Sequence, residues 1–286
     1  MAYFTRLFLV LSLFISSLFA SSVWAADKGL LWKIESPQGS TSYLLGTMHS
    51  DDKRITEFSP AIKEAFKSAE IFMLEALPPR SPSAFLLKQG DISSMLTEQE
   101  FDRVRELADY HSMHIEAAMR MKPWLLAVIF DLPKPQAMYS MDEILMADAG
   151  EQGKVVVGLE NTQTHFSVLD SFSMDEQLSM LRAVLKRSQE AKEKDFERLI
   201  SVYQTGQLEK IAAVDDEITG GMLPKALWQR MKQKLITDRN QTMTESLLAQ
   251  SQQHSVFVAV GASHLGGEDG LLNRLRKAGY QVSPVN

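Results

Sequence analysis

The chain has 286 residues, a formal net charge of −6 and no cysteine. The lack of cysteine excludes disulfides, thiol nucleophiles and Cys-ligated zinc from its chemistry. No basic block is interleaved with aromatic residues, so we expect no binding to nucleic acid or to an anionic lipid surface. A chain of this length can bury one large hydrophobic core without covalent staples.

The N-terminal segment has the composition of a secretory signal peptide. Arg6 is the positive n-region, residues 7–20 are the apolar h-region, and residues 23–25 are a small-residue cleavage site. We therefore expect cleavage after Ala25 and a periplasmic or secreted location. The apolar core is shorter than the roughly 20 residues that a membrane span needs, so we expect no stable membrane insertion after cleavage. An uncleaved membrane anchor is the alternative.

Short apolar runs predict the strands of one sheet. Residues 30–35 and 42–45 flank a Pro-Gln-Gly-Ser turn, as in a β-hairpin. Further strands are predicted at residues 71–74, 155–157, 256–260 and 280–285. Helical patterns alternate with these runs, which favours an α/β fold with a central mixed β-sheet and flanking helices. Residues 26–286 are expected to form a single domain, with a helical insert as its middle region at about residues 80–250.

Several features of the helical middle are specific enough to test. Capping boxes predict helix starts at Thr97 and Ser140, and a further cap at Ser173 predicts a helical stretch over residues 174–204. The helical segment that follows is expected to continue to about Gln233, with breaks at Gly220-Gly221 and Pro224.

Two histidines near the end of the helix after Thr97 are a weaker signal. His111 and His114 have i, i+3 spacing and are expected to share a helix face. A metal pair is conceivable there, but no glutamate stands at the zincin spacing, so a structural role is favoured.

The chemistry-bearing residues stand at the ends of the predicted strands. Gly46-Thr-Met-His49 and Gly261-Ala-Ser-His264 each follow an apolar run, and a glycine there allows a sharp turn. In open α/β sheets, ligands bind at the carboxyl ends of strands, so both imidazoles are expected at one site. Glu75 and Glu160 close two further strands, where a carboxylate needs a partner or a metal.

Two residues further along the chain are candidates for the same site. Arg239 is expected at the start of the last helix before residues 256–260, where it can clamp a carboxylate or stabilise developing negative charge. His165 follows Glu160 closely; a plain surface role is favoured for it, and support of Glu160 is the alternative.

Together these motifs resemble those of the TraB/GumN family, within a wider group that includes the Tiki proteases. The resemblance covers nearly all of the expected mature chain and rests on Gly46–His49, Glu75, Met121-Lys-Pro-Trp124, Gly158-Leu-Glu160, Asp238-Arg-Asn240 and Gly261–His264.

The resemblance implies a fold like that of the Tiki and erythromycin-esterase-like proteins, and an exported hydrolase that cleaves a peptide or another small molecule. It implies a divalent metal ion (Zn, Mn or Co) held by His49, Glu75 and His264. Glu160 and Arg239 are the implied catalytic residues.

Two other functions remain open at this point. The first is a metal-free hydrolase, as thought for erythromycin-esterase-like proteins, in which a histidine is the base that activates water. The second is a regulatory protein that binds a peptide, haem or a metal in the same pocket without turnover. Metal content separates the first from the metal-dependent enzyme, and substrate depletion separates both enzymes from the binding protein.

Overall fold

The computed structural model describes residues 27–285, so the predicted signal peptide lies outside the described residues. Six strands form one sheet: β1 Leu31–Glu35, β2 Thr41–Thr47, β3 Ile71–Ala76, β4 Val155–Glu160, β5 Val256–Gly261 and β6 Gln281–Pro284. Their order is β4-β3-β5-β2-β1-β6. The first four strands in this order run parallel, and β1 and β6 are added antiparallel. The predicted α/β fold with a mixed sheet is confirmed.

The strand register decides which side chains meet at the carboxyl edge of the sheet. On the neighbouring strands β2 and β5, Thr47 pairs with Gly261, so both Gly-x-x-His segments leave the sheet side by side. On the other side of β5, Ala76 at the end of β3 pairs with Glu160 at the end of β4. Four parallel strands therefore deliver their ends to one place.

Thirteen α-helices surround the sheet or form the middle of the chain within residues 27–285. They are α1 Lys53–Thr56, α2 Pro60–Ser68, α3 Glu98–Tyr110, α4 Ile115–Arg120, α5 Pro123–Asp131, α6 Met141–Glu151, α7 Thr162–Asp170, α8 Met174–Leu185, α9 Gln189–Gln204, α10 Leu208–Met222, α11 Lys225–Lys232, α12 Asp238–Ser251 and α13 Leu271–Lys277. The capping boxes at Thr97 and Ser140 and the cap at Ser173 are confirmed. Between residues 27 and 285, no helix has both the length and the hydropathy of a membrane span.

The described residues bury two hydrophobic clusters. One surrounds the sheet and includes Leu44, Phe72 and Phe257, which have no exposed surface. Phe66 on α2 packs edge-on against both aromatic rings and closes this cluster on one side. The other is mostly helical and draws chiefly on α3, α4, α5 and α8, with Phe130 fully buried in it. The amphipathic helices of the middle region are therefore held by their own core.

The structure corrects the helical middle in two places. The stretch predicted as continuous over residues 174–204 is two helices, because Ser188 caps a new start at α9 by accepting a hydrogen bond from the Ala191 N–H. Gly220-Gly221 does not end its helix, since α10 continues to Met222. The predicted break at Pro224 is confirmed, because the chain turns at Leu223 and Pro224, where proline has no N–H to continue the helix.

One further expectation about helices is wrong. His111 and His114 do not share a helix face, because Ser112 has a φ of 57° and separates α3 from α4. Arg239 is the second residue of α12, as predicted, but α12 has no capped start. A π-helical turn at Gln233–Thr237 joins α11 to α12, so Arg239 lies inside a continuous helical run. Such π-turns inside α-helices are frequent at functional sites.

Candidate active site

Four of the five predicted site residues form one buried cluster at the carboxyl edge of the sheet. We call Glu75, Glu160, Arg239 and His264 the strand-end cluster. Arg239 reaches in from α12 and lies between the two glutamates. Its Nη2 donates to Glu75 Oε2 at 2.5 Å, and its Nε donates to Glu160 Oε2 at 2.8 Å. The three residues are 8%, 9% and 7% exposed, so the ion pairs are formed away from water.

Close packing of the two Gly-x-x-His segments explains their glycines. A Cβ on Gly46 would lie 2.7 Å from Leu265 Cδ1 and 3.2 Å from the backbone of Ala262. Only glycine therefore lets the end of β2 approach the turn after β5. Gly261 donates its N–H to Glu75 Oε1 at 2.8 Å, which ties the end of β5 to that of β3. The φ of Gly261 is −50°, so close approach rather than a left-handed turn requires glycine there.

The cluster keeps both glutamates ionised. Burial alone would raise the pKa of Glu75, but its interactions with His264, with the Arg239 guanidinium and with His49 together hold this pKa well below its usual range. Burial also acts to raise the pKa of Glu160, and hydrogen bonds from His165 and Arg239 lower it overall. Two carboxylates and one guanidinium thus leave one net negative charge in this buried space.

The tautomer of His264 is fixed by Asn240. The amide nitrogen of Asn240 donates to the carbonyl of Asp269 at 2.9 Å, so its oxygen is the atom that faces His264 Nδ1 at 2.7 Å. Nδ1 therefore carries the proton, and Nε2 keeps its lone pair. Burial lowers the pKa of His264 to about 4, so the ring is neutral at pH 7. Its Nε2 lies 3.8 Å from Glu75 Oε1 and 3.5 Å from Arg239 Nη1.

His165 contacts the cluster, which was the less favoured of its two interpretations. Its Nδ1 lies 3.1 Å from Glu160 Oε2 and 2.9 Å from Arg239 Nη2. One ring nitrogen cannot donate to the carboxylate and accept from the guanidinium at the same time. The tautomer of His165 therefore decides which neighbour it supports.

The fifth predicted residue, His49, lies beside the cluster and has a different partner. Its Nδ1 bonds Asp142 Oδ2 at 2.9 Å, and Thr47 Oγ1 donates to the other oxygen of that carboxylate at 2.8 Å. We call His49 and Asp142 the exposed pair, because the imidazole is 67% exposed. The hydrogen bond to Asp142 raises the pKa of His49 above its ordinary value, with a smaller contribution from Glu75.

Asp142 is a functional candidate that the sequence analysis missed. It stands in the first turn of α6, two residues after the capping Ser140. Acidic residues are common in that position for purely helical reasons, because they face the positive end of the helix dipole. Only the contact with His49, 93 residues away in the chain, distinguishes Asp142 from them.

The predicted metal ligands do not converge as a metal site. Among residues 27–285, no three His, Asp or Glu side chains are arranged to hold a metal ion. Both oxygens of Glu75 accept N–H donors, from Arg239 and Gly261. A guanidinium 3.5 Å from His264 Nε2 would also repel a cation bound there. In this arrangement the set His49, Glu75 and His264 does not fit a metal ion.

Comparison with known proteins identifies relatives over nearly the whole chain. An uncharacterized protein of Treponema pallidum (strain Nichols) is 23% identical over 276 residues, which cover 87% of this chain and 80% of that protein. Metalloprotease TIKI1 and Metalloprotease TIKI2 of Danio rerio are 23% and 24% identical over 88% of this chain. The matched regions cover 62% and 60% of those two proteins, so the chain spans less than two thirds of their length.

The family assignment rests on a match along the folded chain. The profile of the TraB/PrgY/gumN family matches residues 30–284, from the residue before β1 to the end of β6. The chain belongs to the TraB/PrgY/gumN family.

Proposed function

We propose that this chain hydrolyses peptide or amide bonds and that His49 is the residue that reacts with the substrate. The single observation that carries the proposal is the exposed pair. Asp142 holds His49 by Nδ1, while Nε2 makes no hydrogen bond within residues 27–285 and the ring is open to solvent. A carboxylate that orients an imidazole and leaves its other nitrogen free is the geometry of a general base.

The reaction follows from this geometry. The hydrogen bond to Asp142 raises the pKa of His49 to about 9, so the reacting form is the neutral imidazole, whose fraction rises with pH towards that value. As the oxygen of a water molecule attacks the carbonyl carbon of the substrate, Nε2 of this neutral imidazole takes the proton that the water loses. When the C–N bond breaks, the imidazolium returns that proton to the leaving nitrogen. Asp142 stabilises the imidazolium that exists between the two steps. The products are one carboxylic acid and one amine.

The strand-end cluster assists the same step through its charge. Glu75 and Glu160 carry two negative charges and Arg239 neutralises one, so the buried cluster favours a proton on the neighbouring His49. In this proposal Glu160 and Arg239 are positioning residues: they fix Glu75 at the end of β3. The neutral His264 contributes a fixed lone pair at Nε2 beside Glu75.

A metal-dependent form of this hydrolysis is the second candidate. Both imidazoles are held through Nδ1 by an acceptor, which is the orientation that metal-ligating histidines adopt. Relatives of the chain are named metalloproteases. In this form a divalent ion such as Zn, Mn or Co would require His49, Glu75 and His264 to come closer together. No step is routed through an ion, because these donors do not converge in the present arrangement.

One experiment separates these forms from a binding protein. Tag-free mature protein is incubated with a defined peptide mixture, and substrates and products are followed by mass spectrometry, with the bound metal measured by elemental analysis. We expect cleavage that persists after chelation and dialysis. Cleavage that is lost on chelation and restored by Mn, Co or Zn selects the metal-dependent form. Binding of peptides without depletion in any condition rejects the hydrolase.

We also propose export to the periplasm or outside the cell, with cleavage after Ala25. The proposal rests on the charged, apolar and small-residue segments at residues 1–25. Mass spectrometry of the natively expressed protein should find Ala26 as the N-terminal residue. Protein that keeps Met1 and stays in the membrane fraction would contradict export by cleavage.

A further inference from the structure

A cavity of about 270 Å³ opens beside His49. Its walls come from the end of α5, from the loop that follows it and from α9. Most of the surface is apolar, contributed chiefly by Ile129, Leu132, Pro133, Pro135, Met138 and Phe196. Sites for whole small molecules usually measure about 300–1,000 Å³, so this cavity has room for one side chain of a larger substrate.

The acidic groups in the wall already have hydrogen-bond donors. Asp51 accepts the backbone N–H groups of Gln136 and Ala137, which fixes the loop that forms the cavity mouth. Glu143 accepts the N–H and the hydroxyl of Ser140, each at 2.8 Å. These carboxylates hold the wall in shape, and their hydrogen-bond donors come from the protein, so they do not indicate a cationic ligand.

His111 adds an uncharged aromatic surface to the same wall. Its ring stacks on Phe130 with centroids 5.9 Å apart, and its Nε2 is buried without a hydrogen-bond partner among the described residues. Burial, together with repulsion from Lys192 and Lys134, lowers the pKa of His111 to about 4. A neutral ring of this kind attracts apolar groups more than ions.

The mouth of the cavity exposes an unusual amount of apolar surface. Among the described residues, seven large hydrophobic side chains are exposed, and three of them lie in this loop: Leu132 at 39%, Met138 at 82% and Tyr139 at 51%. Grouped apolar side chains that remain exposed on a folded protein mark binding sites.

We propose that this cavity binds the apolar side chain of the substrate residue next to the bond that is cleaved. The inference rests on the proposed function, because His49, the proposed reacting residue, is among the residues that line the cavity. The ligand class is therefore a peptide with an aliphatic or aromatic residue at that position. Aspartate, lysine or glycine there should bind poorly, since none of them fills an apolar wall.

A second apolar cavity, of about 240 Å³, is a weaker candidate for this role. Trp124, Val128, Leu169 and Met222 are among its lining residues. It lies on the other side of α5, and neither the exposed pair nor the strand-end cluster lines it. A side chain held there would not be placed beside His49.

The test measures binding, which does not require turnover. The probes are N-acetyl amino acid amides of glycine, aspartate, lysine, leucine and phenylalanine, titrated into the mature protein by NMR. We expect the leucine and phenylalanine amides to bind about 10-fold or more tightly than the glycine amide. Ile129→Trp fills the cavity and should abolish this preference. Val128→Trp, one residue along α5 and facing the second cavity, is the matched control and should retain it.

A second variant guards against a misfolded Ile129→Trp protein. Met138→Trp changes an exposed loop residue at the mouth and should also reduce the preference. Equal binding of all five amides, or an unchanged preference in folded Met138→Trp, would overturn the cavity assignment. Wild-type protein that binds apolar amides but cleaves no peptide keeps the cavity and rejects the proposed hydrolysis. If wild type and Met138→Trp both cleave peptides with the same residue preference, the proposed hydrolysis stands and the cavity assignment is rejected.

Discussion

The exposed pair and the strand-end cluster each contain one histidine from the same local motif, and their surroundings make the two residues chemically different. His264 is 4% exposed, and its burial keeps the ring uncharged, while a neutral amide holds Nδ1. His49 is 67% exposed and is held by a carboxylate, so its protonated form is stabilised. Burial and the neighbour that contacts Nδ1, and not the Gly-x-x-His motif, decide which imidazole can exchange protons with a substrate.

The comparison also separates two uses of charge. In the strand-end cluster, buried ions are paired and hydrogen-bonded, which holds the ends of β3, β4 and β5 in place. In the exposed pair, water screens the charges, so the pair contributes little to folding and remains accessible for chemistry. Variants of the cluster should therefore act mainly on stability, and variants of the pair mainly on activity.

The largest effect is expected for Arg239→Met. The change leaves Glu75 and Glu160 buried without their shared cation, which should lower the free energy of unfolding by about 3–5 kcal/mol. Urea denaturation of the mature protein measures it. Arg230→Met is the control, because Arg230 pairs with Glu176 while 51% exposed and should cost less than about 1 kcal/mol. Equal losses in the two variants would contradict the distinction.

Lys192 is a second kind of buried charge to compare with the strand-end cluster. Its described hydrogen bond goes to a backbone carbonyl and not to a carboxylate. It is 2% exposed, its Nζ donates to the Phe130 carbonyl at 2.7 Å, and burial lowers its pKa to about 8. Between about pH 8 and 10.5 the unfolded chain binds more protons at this residue than the folded one, so stability rises with pH across that window. Across this pH window, the free energy of unfolding of wild type should rise by up to about 3 kcal/mol relative to that of Lys192→Met.

The measurement for Lys192 is urea denaturation of both proteins at about pH 7.5 and about pH 10.5. Taking the difference between wild type and variant removes the titration of all other groups. Lys194→Met is the control, because Lys194 is exposed on the same helix and should show no such difference. A constant difference between wild type and Lys192→Met at the two pH values would mean that Lys192 is not desolvated.

Asp142→Asn breaks the exposed pair with a smaller expected change. The amide keeps a similar shape but no longer stabilises the imidazolium, so kcat/KM for peptide hydrolysis should fall roughly 10²-fold. The free energy of unfolding should change by less than about 1 kcal/mol, because the partner imidazole is mostly in water. Glu70→Gln, which alters the carboxylate beside the exposed His254, is the control and should leave kcat/KM unchanged.

Local signals in the sequence predicted the features that are set locally. The apolar runs gave the strands, and Thr97 and Ser140 gave helix starts, because each depends on residues within a few positions. The meeting of Glu75, Glu160, Arg239 and His264 was also predictable, since parallel strands bring their carboxyl ends to one edge. Whether these residues have the predicted metal-binding and catalytic roles remains a prediction.

Features that depend on distant contacts were not predictable in this way. Asp142 has no local mark, and only the packing of α6 against the sheet edge brings it to His49. The left-handed backbone conformation at Ser112, which separates His111 from His114, could not be predicted because the residue is not a glycine. The π-turn at Gln233–Thr237 that joins α11 to α12 was likewise not predicted from the sequence.

The most direct test of the central claim is kcat/KM for peptide hydrolysis by His49→Ala, measured together with its unfolding midpoint. The claim predicts a loss of at least about 10²-fold in kcat/KM with an almost unchanged midpoint. His254→Ala is the matched control, since His254 is also exposed and also faces a carboxylate, that of Glu70. Hydrolysis by His49→Ala at the wild-type rate would contradict the claim that the exposed pair performs the reaction.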